Sequence, residues 1–227
     1  MSVALVLWRL PQLRSPTKLE SAISREAAFL YNNLLLLALC LAIFWGVVYP
    51  LVSEALRGEA VVLGREYYDF FLRLFGLPLL LLMGIGPLVA WRRASLRSLV
   101  TTFRWPTLVA LVAGVVLVAL GAGSSIPGLV AYTFSAFVAA TIVLEFVRGT
   151  RARKALGAAG WPGAFASLVA RNRRRYGGYV VHASIVLLAI GIAGSSAFDS
   201  VAEARLEPGQ SMSIGAYTLT YRSLEER

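Results

Sequence analysis

The chain has 227 residues, 58% of them hydrophobic and only 15% charged, with a mean hydropathy of +0.70. This composition excludes an ordinary water-soluble domain and describes a polytopic membrane protein. Its 22 Lys and Arg against 12 Asp and Glu give a net charge of +10, but the bases lie between apolar stretches, so membrane orientation accounts for them and no nucleic-acid partner is expected.

Residues 1–8 are apolar but too short to span, and they lack the leading charge and small-residue cleavage site of a signal peptide. They read as the tail of a helix that begins elsewhere, within a cytoplasmic segment covering residues 1–28. Thr17-Lys18-Leu19-Glu20, just after Pro16, fits a capping box that starts the next helix. The run 29–49 is long enough to cross a bilayer, with Trp45 and Tyr49 at an interfacial aromatic level. Asn32 and Asn33 at its start read either as interfacial polar groups or as partners for a neighbouring helix. Cys40, the single cysteine, lies mid-span, excludes an internal disulfide and reads as a small hydrophobe.

Residues 50–69 read as an acidic loop suited to the outer side. A second span covers about 70–91. Its Arg73 is near the outer end, where the stem can lie along apolar surface and the head can snorkel to water. Pro78 and the run Gly84-Ile85-Gly86-Pro87 predict a kink or a close helix approach. Spans at about 106–122 and 129–147, joined by an uncharged Gly-Ser-Ser-Ile-Pro-Gly turn, form a helical hairpin. Glu145, near the end of the fourth span, reads as an interfacial acid rather than a proton relay. Residues 148–175 form the most basic loop, with eight Lys or Arg and no acid.

Lys and Arg number four before the first span, two in the first loop, four in the second, none in the third and eight in the fourth. This alternation predicts a cytoplasmic N-terminus, five spans and an external tail. Topology alone explains the basic loop, with anionic lipid head groups as a further candidate contact. Residues 199–227 are polar, with Ser211-Met212-Ser213-Ile214 and Tyr217-Thr218-Leu219-Thr220-Tyr221 reading as two short strands. Two strands alone are marginal, so the tail reads as the incomplete start of a β-rich extracytoplasmic domain. The fold class is thus an all-α membrane bundle of about five helices, residues 29–198, followed by that β-rich segment.

The last span, 178–198, follows Arg171, Arg173, Arg174 and Arg175 and an aromatic-glycine hinge, Tyr176-Gly177-Gly178-Tyr179. It carries the chain's only histidine, His182. At helical spacing Gly178, His182, Val186, Ala189 and Ala193 share one face, lining a groove of small and medium side chains suited to a flat, bulky ligand. On these residues alone His182 is either a helix-to-helix hydrogen-bond partner or a cofactor ligand. Haem favours the second reading, since neutral imidazole is a common axial ligand. No Ser/His/Asp set, phosphate-binding glycine loop or pair of acids within a span supports hydrolase or proton-coupled transport chemistry.

The run from Arg173-Arg174-Arg175-Tyr176-Gly177-Gly178-Tyr179-Val180-Val181-His182 to Gly191-Ile192-Ala193-Gly194-Ser195 closely resembles the C-terminal half of CcmF-type cytochrome c haem lyases. Trp8-Arg9, Leu13-Arg14-Ser15, Leu19-Glu20-Ser21 and the run Ser24-Arg25-Glu26-Ala27-Ala28-Phe29-Leu30-Tyr31-Asn32-Asn33 are similar to that family's segment after its haem-handling loop. Leu82-Met83-Gly84-Ile85-Gly86-Pro87-Leu88 with Trp91-Arg92 adds a third match in order. The resemblance covers nearly the whole chain.

It implies a bacterial inner-membrane subunit of cytochrome c maturation, where haem delivered by a carrier protein is joined covalently to apocytochrome c outside the membrane. It further implies that His182 is an axial ligand of a b-type haem that helps keep the incoming haem reduced. The family's tryptophan-rich loop and its other ligand histidines have no counterpart here, so the second haem ligand comes from outside this chain. The expected partners are the N-terminal part of the same lyase, other maturation subunits, the haem-carrier protein, apocytochrome c and membrane lipid. The chain alone is expected to be inactive. The alternatives are a related lyase for nitrite-reductase cytochromes, a non-catalytic scaffold of the maturation complex, and a transporter.

Overall fold

The structure, a computed structural model, describes residues 5, 8–9, 24–88, 96–157, 160–197 and 202–223. The capping box at residues 17–20 and most of the apolar run at residues 1–8 lie outside the described residues. Helix α1, Arg25–Arg57, instead starts at Ser24, whose hydroxyl accepts a hydrogen bond from the Ala27 N–H at 3.1 Å. It ends at Gly58, where φ is 76° and the N–H donates to the Glu54 carbonyl at 2.9 Å. The helix takes Pro50 in its interior and continues to Arg57, so the acidic stretch expected to be a loop begins as helix. Ser53 turns the chain back, donating to the Pro50 carbonyl at 2.9 Å and accepting from the Val61 N–H at 2.8 Å.

The next rod has three parts: α2 (Arg65–Phe71), a π-helical turn (Leu72–Gly76) and α3 (Leu77–Ile85). Pro78 has no N–H with which to answer the carbonyl four residues back, and the turn that holds this carbonyl widens instead of breaking. Tyr67 ties the rod to α1 by donating to the Ala42 carbonyl at 2.8 Å. The close approach expected around Gly84 is present. A Cβ placed there would stand 3.0 Å from Val138 Cγ2 and 3.1 Å from Phe137 Cδ1, so only a hydrogen fits without displacing that wall.

Helix α4, Leu96–Ala119, carries Pro106 in its interior and buries it. Gly121, with φ of 90°, and a short 3-10 turn at Ala122–Ser124 reverse the chain into α5, Ile126–Ala155, whose N-cap Ser125 accepts from the Gly128 N–H. The expected hairpin is therefore formed. Helix α5 is the centre of the bundle, packing on α3, α4 and the two helices that follow it. Val138 is fully buried there, in a core that includes Phe137, Ile142, Leu80, Ala110 and Val186.

Two stretches expected to interrupt the helices are largely helical. The basic loop at 148–175 contains the end of α5 and a further helix, α6, Gly160–Arg171. Its four-residue spacing of Ala164 and Leu168 buries both side chains against the bundle, a stripe that the surrounding charge hid from a count of composition. The hinge at Gly177-Gly178 is not a break, because α7 runs unbroken from Arg173–Ala197. Tyr176 and Tyr179 pack on Phe146, at ring distances of 5.0 and 6.0 Å, and hold that turn helical despite the glycines.

Five of these rods are long and apolar enough to cross a membrane. The predicted strands form as β1, Ser211–Ile214, and β2, Tyr217–Thr220, antiparallel with Ser211 opposite Thr220 and Ile214 opposite Tyr217. Gly215, with φ of 56°, lies in the turn between them.

Candidate functional site: a cleft walled by His182

His182 lies about two and a half turns into α7. It forms part of the wall of a cleft of about 440 Å³ bounded by α1, the α2–α3 rod, the start of α5 and α7. The walls are mainly apolar, with Leu36, Leu80, Ala131, Ile185 and Ile192 among them. A smaller opening of about 300 Å³ lies beside it, lined by Ala28, Phe29, Gly86 and Pro87. His182, Asn32 and Met83 line both, so the imidazole stands where the two meet. Its Nδ1 is buried and has no hydrogen-bond partner among the described residues. An orphaned imidazole nitrogen is costly in an apolar setting unless something outside the described contacts answers it.

Ala189 and Ala193 line the cleft with His182, as their shared face predicts. Val186 and Gly178 do not. Val186 is 4% exposed and belongs to the core against α5, while Gly178 is exposed and lies one turn before the cleft begins. The cleft follows the side of α7 that carries Ile185, Ile192 and Ser196, so its centre is turned about 40° from His182, away from Val186. The opposing walls, Asn32 and Met83, sit in stretches singled out for other reasons. Their placement across from His182 depends on helix packing that no local pattern encodes.

Below the cleft a polar cluster joins α7 to α5. Glu145, 9% exposed, accepts from Arg175 Nη2 at 2.5 Å and from the Tyr179 hydroxyl at 3.0 Å. Arg175 Nε also reaches the Tyr179 hydroxyl at 3.4 Å. The acid expected at the interface is thus nearly buried, with both partners on its Oε2, and those partners lie within two turns of His182 on the same helix. Tyr176 fills the space over Gly149, where any Cβ would collide with its hydroxyl and with Leu168. Aromatic packing and a charge-assisted network together fix the rotation of α7, and with it the direction of the imidazole. Among the described residues no three His, Cys, Asp or Glu side chains gather to hold a metal ion. One imidazole on an apolar wall suits a bulky ligand held from its face better than a caged cation.

No family model matches the chain. The cytochrome c-type biogenesis protein CycK of Rhizobium meliloti is 28% identical over 90% of this chain and 30% of its own length. CcmF of Pseudomonas fluorescens is 31% identical over 86% of the chain and 28% of its own length, and CycK of Bradyrhizobium diazoefficiens is 32% identical over 92% and 31%. A solved structure named cytochrome c haem lyase CcmF superposes with a TM-score of 0.56 at 26% identity, covering 87% of this chain and 32% of that one. The chain therefore spans about a third of the length of the curated relatives it matches. The five apolar rods, the shared fold and this agreement along most of the sequence make the chain a homologue of one part of the CcmF/CycK cytochrome c-type biogenesis proteins, in keeping with their C-terminal part.

Proposed function

We propose that this chain is the haem-handling C-terminal part of a CcmF-type cytochrome c haem lyase, in which His182 supplies one axial ligand to a b-type haem. The observation that carries the reading is the imidazole itself: the chain's only histidine, with a buried Nδ1 that has no partner among the described residues, on the wall of an apolar cleft. The size of the cleft falls within the range of small-molecule sites. The residues present fit one axial half of such a site. Bound haem supplies a one-electron couple, which suits keeping an incoming haem reduced while thioether bonds form.

The chain's own contribution is positional. His182 presents an imidazole nitrogen, Ala189 and Ala193 leave room beside it, and the Glu145 cluster holds α7 against rotation. With one histidine the chain would not supply bis-histidine ligation alone, and the N-terminal part of the lyase would complete the site. The haem-carrier protein, apocytochrome c and other maturation subunits are the remaining partners. The membrane is the bacterial inner membrane, with the start of α1 and the basic α5–α7 region cytoplasmic and the β1–β2 hairpin external, as part of an outer β-rich domain. In a Cys40→Ser background, a membrane-impermeant maleimide applied to spheroplasts is expected to label Arg205→Cys and leave Arg151→Cys unlabelled. The reverse pattern inverts the topology.

A visible spectrum of this chain purified together with the N-terminal part tests the central reading. Six-coordinate b-type bands are expected from the pair and not from this chain alone. A correctly assembled pair without haem would leave a scaffold role, with His182 bonded to a neighbouring helix.

A further inference from the structure

Arg73 lines the same cleft as His182 and belongs to the π-helical turn at Leu72–Gly76. Such turns inside apolar helices frequently mark functional positions. Among the described residues Asp69 and Arg73 are the only ionisable side chains besides His182 on the wall of that cleft. The Asp69 carboxylate is shared, with Arg73 Nη2 and Arg65 Nε each 3.5 Å from the same oxygen. Arg73 is thus held by a carboxylate that it shares with a second guanidinium, each at the outer limit of an ion pair. Arg73 is more than half exposed, as a snorkelling side chain near a helix end is, but it also helps line the cavity, and a charge within an apolar span marks a functional partner by default.

The two ends of the cleft differ in chemistry. The rod begins, α5 begins and α7 ends at one end of the bundle, and Ser125 and Ser196 line the cleft there. Met83, in the same rod ten residues after Arg73, meets His182 at both openings, so the guanidinium and the imidazole stand at different levels of the cleft. A ligand satisfying both groups has a planar apolar body and an anionic edge. We propose that Arg73 receives a carboxylate of the ligand that His182 meets, so that the guanidinium sets the ligand's orientation in the cleft. This rests on the haem reading above, for which the carboxylate is a propionate. Asp69 is then the internal competitor that holds Arg73 until the ligand carboxylate arrives.

The test uses the assembled lyase from haem-starved cells, titrated with haem b and with its dimethyl ester, which keeps the ring and removes both carboxylates. Wild-type protein is expected to bind the ester roughly ten-fold more weakly, the size of one charge-assisted hydrogen bond partly exposed to solvent. Arg73→Gln is expected to weaken haem b by a similar factor and to bind haem and ester alike, while Arg73→Lys keeps part of the preference. Asp69→Asn moves the other way and tightens haem b, which separates lost recognition from lost folding.

Equal binding of haem and ester by the wild type, or an ester preference unchanged in Arg73→Gln, overturns the proposal. If an anionic lipid that copurifies with the wild type disappears in Arg73→Gln while the ester preference persists, Arg73 serves a lipid head group and the proposal is likewise overturned. Failure of haem b to bind, or binding that ignores His182→Ala, sinks the haem reading itself. That outcome is distinct from both of the others.

Discussion

Replacing His182 with Ala is expected to abolish the six-coordinate b-type spectrum of the assembled protein while leaving its expression and assembly intact. Even residues that only support a metal ligand cost about 10- to 100-fold in affinity when removed, so losing the ligand itself is expected to exceed about 100-fold. The effect on folding is small by comparison. His182 is half-buried, Nδ1 makes no hydrogen bond among the described residues, and the substitution opens a wall already facing a cleft. His182→Gly offers a sharper version, because added imidazole can enter the vacated position and restore six-coordinate bands if ligation is what was lost. A helix-to-helix hydrogen bond predicts a different pair of results: unchanged haem content in both variants and no response to imidazole.

The legibility of His182 and the illegibility of its surroundings have the same origin. A single imidazole in an uncharged run stands out from the sequence because burying it requires a partner, and that requirement is local. The five apolar rods were legible for a similar reason, since length and hydropathy alone decide whether a segment can cross a bilayer. Helix ends were not. Pro50 and Pro106 lie inside helices that continue past the apolar windows, because backbone hydrogen bonding follows geometry and not hydropathy. Helix α6 was hidden by its own basic neighbours, since only Ala164 and Leu168 mark its buried stripe.

Which face of α7 meets the cleft depends on where α5 packs, and the shared-face argument had no access to that packing. It therefore gained Ala189 and Ala193 but placed Val186 in the groove instead of in the core. Glu145 shows the same limit from the other side. Its position near the cytoplasmic end of a span is visible in the chain, but Arg175 and Tyr179 lie 30 and 34 residues away, and only the docking of α7 on α5 turns an interfacial acid into the anchor of the site.

That anchor yields the second large effect, and its sign is asymmetric. Arg175→Ala is expected to destabilise the bundle more than Glu145→Ala, although both remove the same ion pair. The Glu145 side chain is 11% exposed and that of Arg175 is 60% exposed. Without Arg175 a nearly buried carboxylate keeps only the Tyr179 hydroxyl, a loss of about 2–4 kcal/mol, toward the range for stranding a buried charge. Without Glu145 the guanidinium turns to water, and Tyr179 loses one acceptor, which together cost about 1–2 kcal/mol. Replacing both by Leu removes the buried charge with its partner and is expected to recover most of the loss.

Unfolding of the three variants in one detergent measures the order directly. Equal costs, or a larger cost for Glu145→Ala, would mean that water reaches the carboxylate and that the pair is a surface contact. In that case packing of Tyr176 and Tyr179 on Phe146 alone must orient α7. If the expected order holds, Arg175→Ala should also broaden the b-type bands of the assembled protein, because a start of α7 free to rotate no longer aims His182 at one position.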